Sequence, residues 1–370
     1  MDIQIKEVIN KQDLRHFVDF PVKLYKKNKY YVPALRIDEI KSLTASPSLA
    51  YCSMKLWLAY KDGKIAGRIA GIVNPRANEL YEQKRVRFGW FDFIDDVEVA
   101  KALLNQVATW GKSMGMCQMH GPLGFNTWSR QGMLTYGFEE IPPVNCLYNF
   151  PYYPRIMEQL GFEKENDWLQ YEMNASQEIP DKIKRINKLI LEKYNLRIFD
   201  FKNKRVLKQL ADKFFETYNE SFKSVHNFIP LTPDEITSGA SLYLRMIRKE
   251  LTCFVLDSEE NIVAFAICFP SLSKGFQKAK GRLFPFGWFH ILKSYFWYDS
   301  IDLMLNGAHP DWYKKGLSSV YHAYLNEAFI KRKIKIGISN PQVETNVAVN
   351  VWSSYENREF MRRRCYIKSI

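Results

Sequence analysis

Residues 56–74, LWLAYKDGKIAGRIAGIVN, place the turn dipeptide DG between two apolar runs, a pattern that predicts a β-hairpin. Residues 251–269, LTCFVLDSEENIVAFAICF, predict a second hairpin that can be laid over the first. The apolar periodicity around both predicts one repeated order of strand, helix, hairpin, strand, helix, strand, helix and strand. We therefore expect two tandem copies of an α/β fold with a mixed sheet and helices on both faces.

The length of 370 residues exceeds the size at which one core stops growing, which also favours two domains. The pattern assigns residues 1–178 to an N-terminal domain and residues 196–370 to a C-terminal domain. The lysine-rich stretch between them, residues 179–195, is predicted to form a linker helix rather than a flexible tether. A basic, aromatic insertion at residues 274–300 interrupts the second copy.

The formal charge of +13 suits nucleic acid, an anionic membrane surface or an anionic ligand, or simply a solvated basic surface. The sequence has no nucleic-acid-binding module, so we expect no nucleic-acid partner. Its six cysteines form no CxxC pair and no cluster at metal spacing, which predicts no metal and a reducing compartment. The N-terminus lacks a signal-peptide pattern, and no apolar stretch approaches the length of a membrane span. We expect a cytoplasmic protein, with peripheral association at the inner membrane face left open.

Several phrases of the sequence resemble a bacterial branch of the GNAT superfamily of acyl-CoA N-acyltransferases. They are YYVPALRID (30–38), GRIAGIVN (67–74), FGWFDFIDD (88–96), HGPLGF (120–125), GMLTYGFEEIPP (132–143) and YYPRIMEQLGFEKENDWLQY (152–171). The resemblance spans nearly the whole chain and implies two tandem GNAT-like domains. It implies acetyl-CoA or a longer acyl-CoA as co-substrate and a primary amine as acceptor. A similarity to bacterial ceramide synthases implies a long-chain amino alcohol as one candidate acceptor.

The superfamily binds the pyrophosphate of CoA between its fourth strand and third helix, through a loop of the form Gln/Arg-x-x-Gly-x-Gly/Ala. Small residues in such a loop let backbone N–H groups approach the anion at the helix N-terminus. The residues aligned with the motif are Tyr313, Lys314, Lys315, Gly316, Leu317 and Ser318. Tyr313 departs from the expected Gln or Arg, whereas the two lysines add positive charge. The alternative is a surface turn that caps an ordinary helix.

The matching stretch of the first copy, FDFIDDVEVAKALL, has Asp95 and Asp96 and no glycine where phosphates would lie. The two carboxylates would repel CoA. We therefore expect CoA in the second domain, and the first domain to shape the acceptor pocket or to act as a structural partner.

Transfer to an amine by direct attack needs a base for the amine proton and an acid for the leaving thiolate. The resemblance places Glu344 as base, Tyr355 as acid and His309 beside the thioester, with Trp352 competing with Tyr355 for its alignment. Asn346 is expected at the cofactor. Each of these residues also has a plain structural interpretation: a Glu at a helix start stabilises the helix dipole, and a His at a strand end bonds the backbone.

On the acceptor side, the resemblance favours His120 and Asn126, with plain structure as the alternative. In the insertion at 274–300, lysines and arginine alternate with bulky aromatics, among them Trp288 as a substrate-binding candidate. This pattern suits an anionic bilayer surface, the mouth of an acyl-chain tunnel or a helix that packs the domains together. Two alternatives to the enzyme also remain at this point: a catalytically inactive binding or scaffold protein, and a peripheral membrane protein.

Overall fold

A computed structural model describes residues 3–175, 178–201, 207, 210–346 and 356–370. The predicted α/β fold with a mixed sheet is confirmed. The first half contains strands β1 (Ile3–Glu7), β2 (Ser53–Lys61), β3 (Lys64–Val73), β4 (Arg85–Phe93), β5 (Gln118–Gly121), β6 (Met133–Tyr136) and β7 (Glu163–Asn174). Its helices are α1 (Lys11–Leu24), α2 (Arg36–Ala45), α3 (Pro75–Leu80), α4 (Val97–Ser113) and α5 (Tyr152–Gln159).

The second half repeats this order after helix α6 (Asp181–Lys193), which is the predicted linker helix. Its strands are β8 (Arg197–Ile198), β9 (Thr252–Leu256), β10 (Ile262–Pro270), β11 (Ser300–Ala308), β12 (Ile336–Ser339), β13 (Gln342–Val343) and β14 (Asn357–Ser369). Its helices are α7 (Ala211–Phe222), α8 (Pro233–Met246), α9 (Ser273–Ala279), α10 (Gly287–Phe296) and α11 (Leu317–Arg332). Among the described helices, none is long and apolar enough to cross a bilayer.

Both predicted hairpins form. In the first, Asp62 and Gly63 have φ of +50° and +75°, the left-handed conformation that a tight hairpin turn between twisted strands requires. In the second, β9 and β10 pair antiparallel, and the longer turn holds Glu260 at φ +64°. The Asp257 carboxylate accepts hydrogen bonds from the N–H groups of Glu259 and Asn261 across that turn. Local turn chemistry therefore fixes both hairpins.

The last strand of each half lies in the sheet of the other half. β14 lies between β5 and β7, and β7 pairs on its other side with β12. The described strands consequently form one continuous sheet, in the order β1-β2-β3-β4-β5-β14-β7-β12-β11-β10-β9-β8. The boundaries predicted at 178 and 196 remain a prediction, but the exchange shows that neither half completes its sheet alone.

The fourth strand of each copy carries a β-bulge. The pairing of β4 with β3 shifts between Arg68 and Ala70 of β3. In β11 the inserted residue is Met304, which has no partner in β10. A bulge inserts one residue, bends the strand and redirects the side chains that follow it. Because the bulges occur at matching positions, they mark the same place in both copies, next to the strand ends where a site is expected.

Candidate active site

In the second half, β11 and β12 separate. The two parallel strands pair only from Ser300–Ile336 to Leu303–Ser339, while β11 continues to Ala308. The last link between them is the hydrogen bond from Asn340 N–H to the Leu303 carbonyl, at 3.0 Å. Beyond it the strands leave a gap in the middle of the sheet.

Cavities lie on both faces of the sheet at this gap. The helix-side cavity lies under α11 and is lined by Met173, Asn174, Ala175, Ala266, Cys268, Ile301, Leu303, Leu305, Asn306, Tyr321, His322, Leu325, Asn326, Phe329 and Gly337. The junction cavity, of about 150 Å³, lies between the two halves, with Thr127, Trp128, Asn145, Cys146, Trp168, Tyr218, Phe222, His226, Met304, Leu305, Asn306, Asn340 and Asn346 among its lining residues. Leu305 and Asn306 line both cavities, so the two spaces adjoin at the gap.

The helix-side cavity is mostly apolar along its β11 wall, from Ile301 to Leu305. Its polar end is at the gap, where the Asn306 amide donates a hydrogen bond of 3.3 Å to the Tyr321 hydroxyl. His322 also lines the cavity, and burial lowers the pKa of its imidazole to about 4, so that it is neutral at pH 7. The β11 wall of this small cavity, of about 40 Å³, is therefore apolar up to Asn306 at the gap.

The junction cavity contains a histidine that is backed by a buried carboxylate. His226 lines the cavity, and its Nε2 lies 3.7 Å from Oε1 of Glu165. Although burial opposes ionisation, the hydrogen bond from His120 and the nearby His226 imidazole hold the pKa of Glu165 well below its usual range. Arg85 adds a 2.5 Å contact to the same carboxylate. Such a carboxylate can orient an imidazole and stabilise its protonated form.

Three potential metal ligands meet behind this pair. One ligand atom from each of His120, Glu165 and Cys365 lies within 4.8 Å of the others. Burial lowers the pKa of His120 to about 4 and raises that of Cys365 well above its usual value. A metal here would need the Cys365 thiolate and would compete with Arg85 for Glu165. The geometry is better explained as hydrogen bonds from His120 and Cys365 to Glu165, each 3.1 Å long.

A buried carboxyl lies where the two strands begin to separate. Asp302 pairs with Ile338 one residue before the last pair of the β11–β12 ladder, and is 4% exposed. Its Oδ1 has no hydrogen-bond partner among the described residues. Burial raises its pKa to about 7. At the matching register of the first half, the buried Arg87 instead donates to the carbonyls of Gly124 and Phe125.

The predicted phosphate loop lies at the carboxyl end of β11 and opens helix α11. Gly316 is the N-cap with φ +82°, and no side chain caps the helix among the described residues.

Lys314 is exposed, and the Lys315 ammonium lies 4.1 Å from the centre of the Trp312 ring. Leu317 is core, whereas Ser318 is half-buried beside the helix start. Tyr313 bonds the Ser221 carbonyl through its hydroxyl, at 3.4 Å. The loop therefore places an α11 N-terminus that no described side chain caps next to two lysines.

The equivalent places in the first half are filled. The Asp96 carboxylate caps α4 by accepting from the N–H groups of Glu98 and Val99, and it pairs with Lys61. The space between α4 and the sheet holds packed rings, with Phe93 and Tyr153 centroids 4.2 Å apart. Phe93 N–H, at the end of β4, donates to the Tyr153 hydroxyl at 2.9 Å.

The structure brings only some of the predicted site residues to the gap. Asn346 lines the junction cavity. Asn126 lies next to that cavity, and its amide donates to Glu235 of the second half at 2.9 Å. His120 is fully buried behind Glu165 rather than at the cavity wall.

The predicted catalytic residues lie elsewhere. Glu344 pairs with Lys164 at 2.8 Å and accepts from the Asp167 N–H, and His309 accepts from the N–H of Asp311 at the end of β11. Trp288 is half exposed on α10, where it donates to the Pro285 carbonyl. These contacts favour the structural interpretation of Glu344 and His309, although both assignments, like the substrate-binding assignment of Trp288, remain predictions. Tyr355, and Trp352 as the alternative residue for the same alignment, lie outside the described residues.

The sequence analysis did not identify His226, Asn306 or Asp302. His226 lies in an irregular segment after α7, where no periodicity points to a site. Asp302 did have a signal: it is an acid inside the apolar strand pattern SIDLML, and a buried acid is costly unless it serves a purpose.

Two curated proteins are similar to this chain over most of its length. Protein YghO of Escherichia coli is 26% identical over 379 aligned positions, which cover 99% of this chain and 95% of that protein. Bacterial ceramide synthase of Caulobacter vibrioides is 25% identical over 304 positions, which cover 79% of this chain and 76% of that protein. No family model matches the chain.

Among solved structures, a tandem GNAT protein from the clavulanic acid biosynthesis pathway superimposes with a TM-score of 0.56 at 10% sequence identity. The match covers 100% of this chain and 98% of that one. It extends across both copies, the linker helix and the exchanged strands, so the likeness concerns the complete arrangement rather than one half. Over its whole length, the chain therefore has the fold of the tandem GNAT proteins.

Proposed function

We propose that this protein is an acyl-CoA-dependent N-acyltransferase whose single CoA site lies in the second half. The observation that carries the proposal is the gap between β11 and β12, where two cavities on opposite faces of the sheet adjoin at Leu305 and Asn306. A two-substrate transfer needs such an arrangement, because each substrate must enter from its own side and meet the other at one point.

The CoA thioester would lie on the α11 side. Its pyrophosphate would accept hydrogen bonds from the N-terminus of α11 at Gly316, with Lys314 and Lys315 close by. Its pantetheine arm would follow the unpaired end of β11 toward Asn306, whose amide could hold the thioester carbonyl. The acyl group would then enter the apolar part of the helix-side cavity, which has a volume of about 40 Å³.

The amine would enter through the junction cavity. Its nitrogen attacks the thioester carbonyl carbon, a C–N bond forms, the C–S bond breaks and CoA leaves as a thiolate. The amine must lose a proton, and His226 is the group best placed to accept it, with Glu165 orienting the ring. The thiolate recovers a proton from Tyr355 or from solvent; for Tyr355 this role rests on the family resemblance alone.

The acceptor would be an amine with an apolar body. The junction cavity combines amide side chains with the rings of Trp128, Trp168 and Phe222, which suits a molecule with polar and apolar ends. The name of the Caulobacter relative supports the same class, since a ceramide is an N-acylated long-chain amino alcohol. We therefore propose long-chain amino alcohols as the first acceptors to test.

The experiment combines acyl-CoAs of increasing chain length with long-chain and short-chain amines, and measures thiol release together with amide formation by mass spectrometry. We expect turnover, and His226→Gln should lower kcat by about a hundredfold while leaving CoA affinity unchanged. The matched control is His309→Gln, which alters the histidine predicted from the sequence and should keep most of the activity.

The same experiment separates the rival functions. CoA binding without turnover by any amine would favour a binding protein that has lost catalysis. Absence of CoA binding would contradict the proposal altogether. If His309→Gln abolished turnover and His226→Gln did not, the proposed base would be wrong while the CoA site would stand.

A further inference from the structure

Helices α9 and α10 pack together between β10 and β11 and form the aromatic helix pair, which comprises residues 273–298. Among the described residues, seventeen large apolar side chains are exposed, and seven of them lie between Phe284 and Trp297. They are Phe284, Phe286, Trp288, Phe289, Leu292, Phe296 and Trp297. Phe284 is 78% exposed and Trp297 is 75% exposed. So dense a patch of exposed rings marks an interaction surface.

The inner side of the pair is firmly attached, so the exposed rings are not the result of a loose segment. Gly275 lets the two helices touch, because a Cβ there would lie 2.8 Å from the His290 carbonyl oxygen. Gln277 donates to the Lys29 carbonyl at 2.9 Å, and Arg248 donates to the Tyr295 carbonyl at 3.1 Å. The fold therefore holds the rings outward on a fixed support.

The charge around this surface has one sign. Residues 273–298 contain no Asp or Glu, and they contribute Lys274, Lys278, Lys280, Arg282 and Lys293. At the base of the pair, a cavity of about 110 Å³ is lined by Lys23, Arg36, Lys280 and Arg282 against one acid, Asp19, which pairs with Arg36. Burial, with smaller contributions from the nearby Arg282 and Arg15, lowers the pKa of Arg36.

We propose that the aromatic helix pair docks on an anionic phospholipid bilayer, with its rings at the boundary between headgroups and acyl chains and a lipid phosphate in the basic cavity. Aromatic rings interleaved with lysine, without any acid, complement a surface that is apolar inside and uniformly negative outside. A protein partner would more often present charges of both signs. The docking does not rest on the acyltransferase chemistry, since none of these residues lines the helix-side or junction cavity.

The test is co-sedimentation of the full chain with vesicles of phosphatidylcholine alone or mixed with phosphatidylglycerol. We expect binding to the mixed vesicles, weak binding to the neutral ones, and weaker binding at high salt because salt screens the lysines. The double change Phe284→Ser and Trp297→Ser should weaken binding at least tenfold. The separate double change Lys280→Glu and Arg282→Glu should also weaken binding at least tenfold relative to wild type, given the contribution of each basic residue near a charged surface.

Matched controls place the same chemistry elsewhere on the surface. Ile9→Ser removes an apolar side chain that is 80% exposed, and Lys101→Glu with Lys112→Glu reverses two charges on α4. Both controls should bind like wild type, and circular dichroism checks that every variant is folded. The proposal is overturned if wild type stays in the supernatant, if the controls lose as much binding, or if sedimentation velocity shows that the rings instead join two copies of the chain.

Discussion

The two copies of the fold differ most at the place where they are expected to do the same thing. In the first, the N-terminus of α4 is capped by Asp96, and the rings of Phe93 and Tyr153 fill the space under the helix. In the second, the N-terminus of α11 has Gly316, no side chain in the described part of the chain caps it, and a cavity lies under the helix. One copy thus fills this place with internal contacts, whereas the other leaves there a cavity and a helix end that no described side chain caps.

The clearest electrostatic contrast between the copies is at one buried strand position, which is the acid Asp302 in the second copy and the base Arg87 in the first. The folded state keeps the Asp302 proton up to about pH 7, whereas the unfolded carboxyl loses it near pH 4, so the free energy of unfolding falls as pH rises between these values. Asp302→Asn should remove this fall, and its stability relative to wild type should increase by up to about 4 kcal/mol from pH 4 to pH 8. Urea unfolding at both pH values measures it.

Asp299→Asn is the matched control, because Asp299 is exposed just before the same strand and pairs with Lys335. It should show little change in pH dependence. An Asp302→Asn profile that runs parallel to wild type would show that the carboxyl is ionised in the folded protein and would remove it from the contrast.

A glutamate in the phosphate loop tests which copy binds CoA. Gly316→Glu puts a negative charge at the α11 N-terminus and strains a position at φ +82° whose Cβ would meet Ile190. We expect at least about a hundredfold weaker CoA binding by isothermal titration, equivalent to about 2.7 kcal/mol.

Gly115→Glu is a control for charge and backbone strain. It lies just after the C-terminus of α4, where φ is +78° and no atom lies within 4 Å of an added Cβ. It should leave CoA affinity unchanged despite similar backbone strain. Equal loss in both variants would mean that strain, rather than the loop, explains the effect.

The smallest predicted effect concerns the capped helix of the first half. Asp96→Ala should lower the free energy of unfolding by about 1 kcal/mol, while Asp96→Ser should keep most of it because serine also caps helices well. Although burial opposes ionisation, hydrogen bonds from Lys61 and the helix N–H groups lower the pKa of Asp96. Its contribution is therefore complete above about pH 4 and is lost as pH falls below that. Neither variant should change CoA binding; gain of a second CoA site in Asp96→Ser would contradict the assignment of a structural role.

Much of the fold could be predicted from the sequence because its signals are local. The DG turn at residues 62 and 63 fixes one hairpin through its own backbone conformation, and the apolar periodicity of α4 predicts that helix. The exchange of β7 and β14 could not be predicted. Strand periodicity shows which face of a strand is buried, but it does not determine which neighbour the strand pairs with.

The candidate site divides in the same way. The position of the loop at Gly316 could be predicted because a glycine follows a strand and precedes a helix, which is a pattern in sequence order; CoA binding there stays a prediction. His226 could not, because the helix and strands that make the junction cavity are far apart in the chain and meet only after folding. Glu344 is the opposite case: it lies at the expected point in sequence, but its carboxylate pairs with Lys164, and its role as base stays a prediction.

The central claim is that the second copy binds CoA and the first does not. The stoichiometry of CoA binding to the full chain tests it most directly. Isothermal titration of wild type should give one CoA per chain, and Gly316→Glu should remove that site. Two CoA per chain, or one CoA that persists in Gly316→Glu, would show that the filled first half still binds the cofactor and would contradict the account.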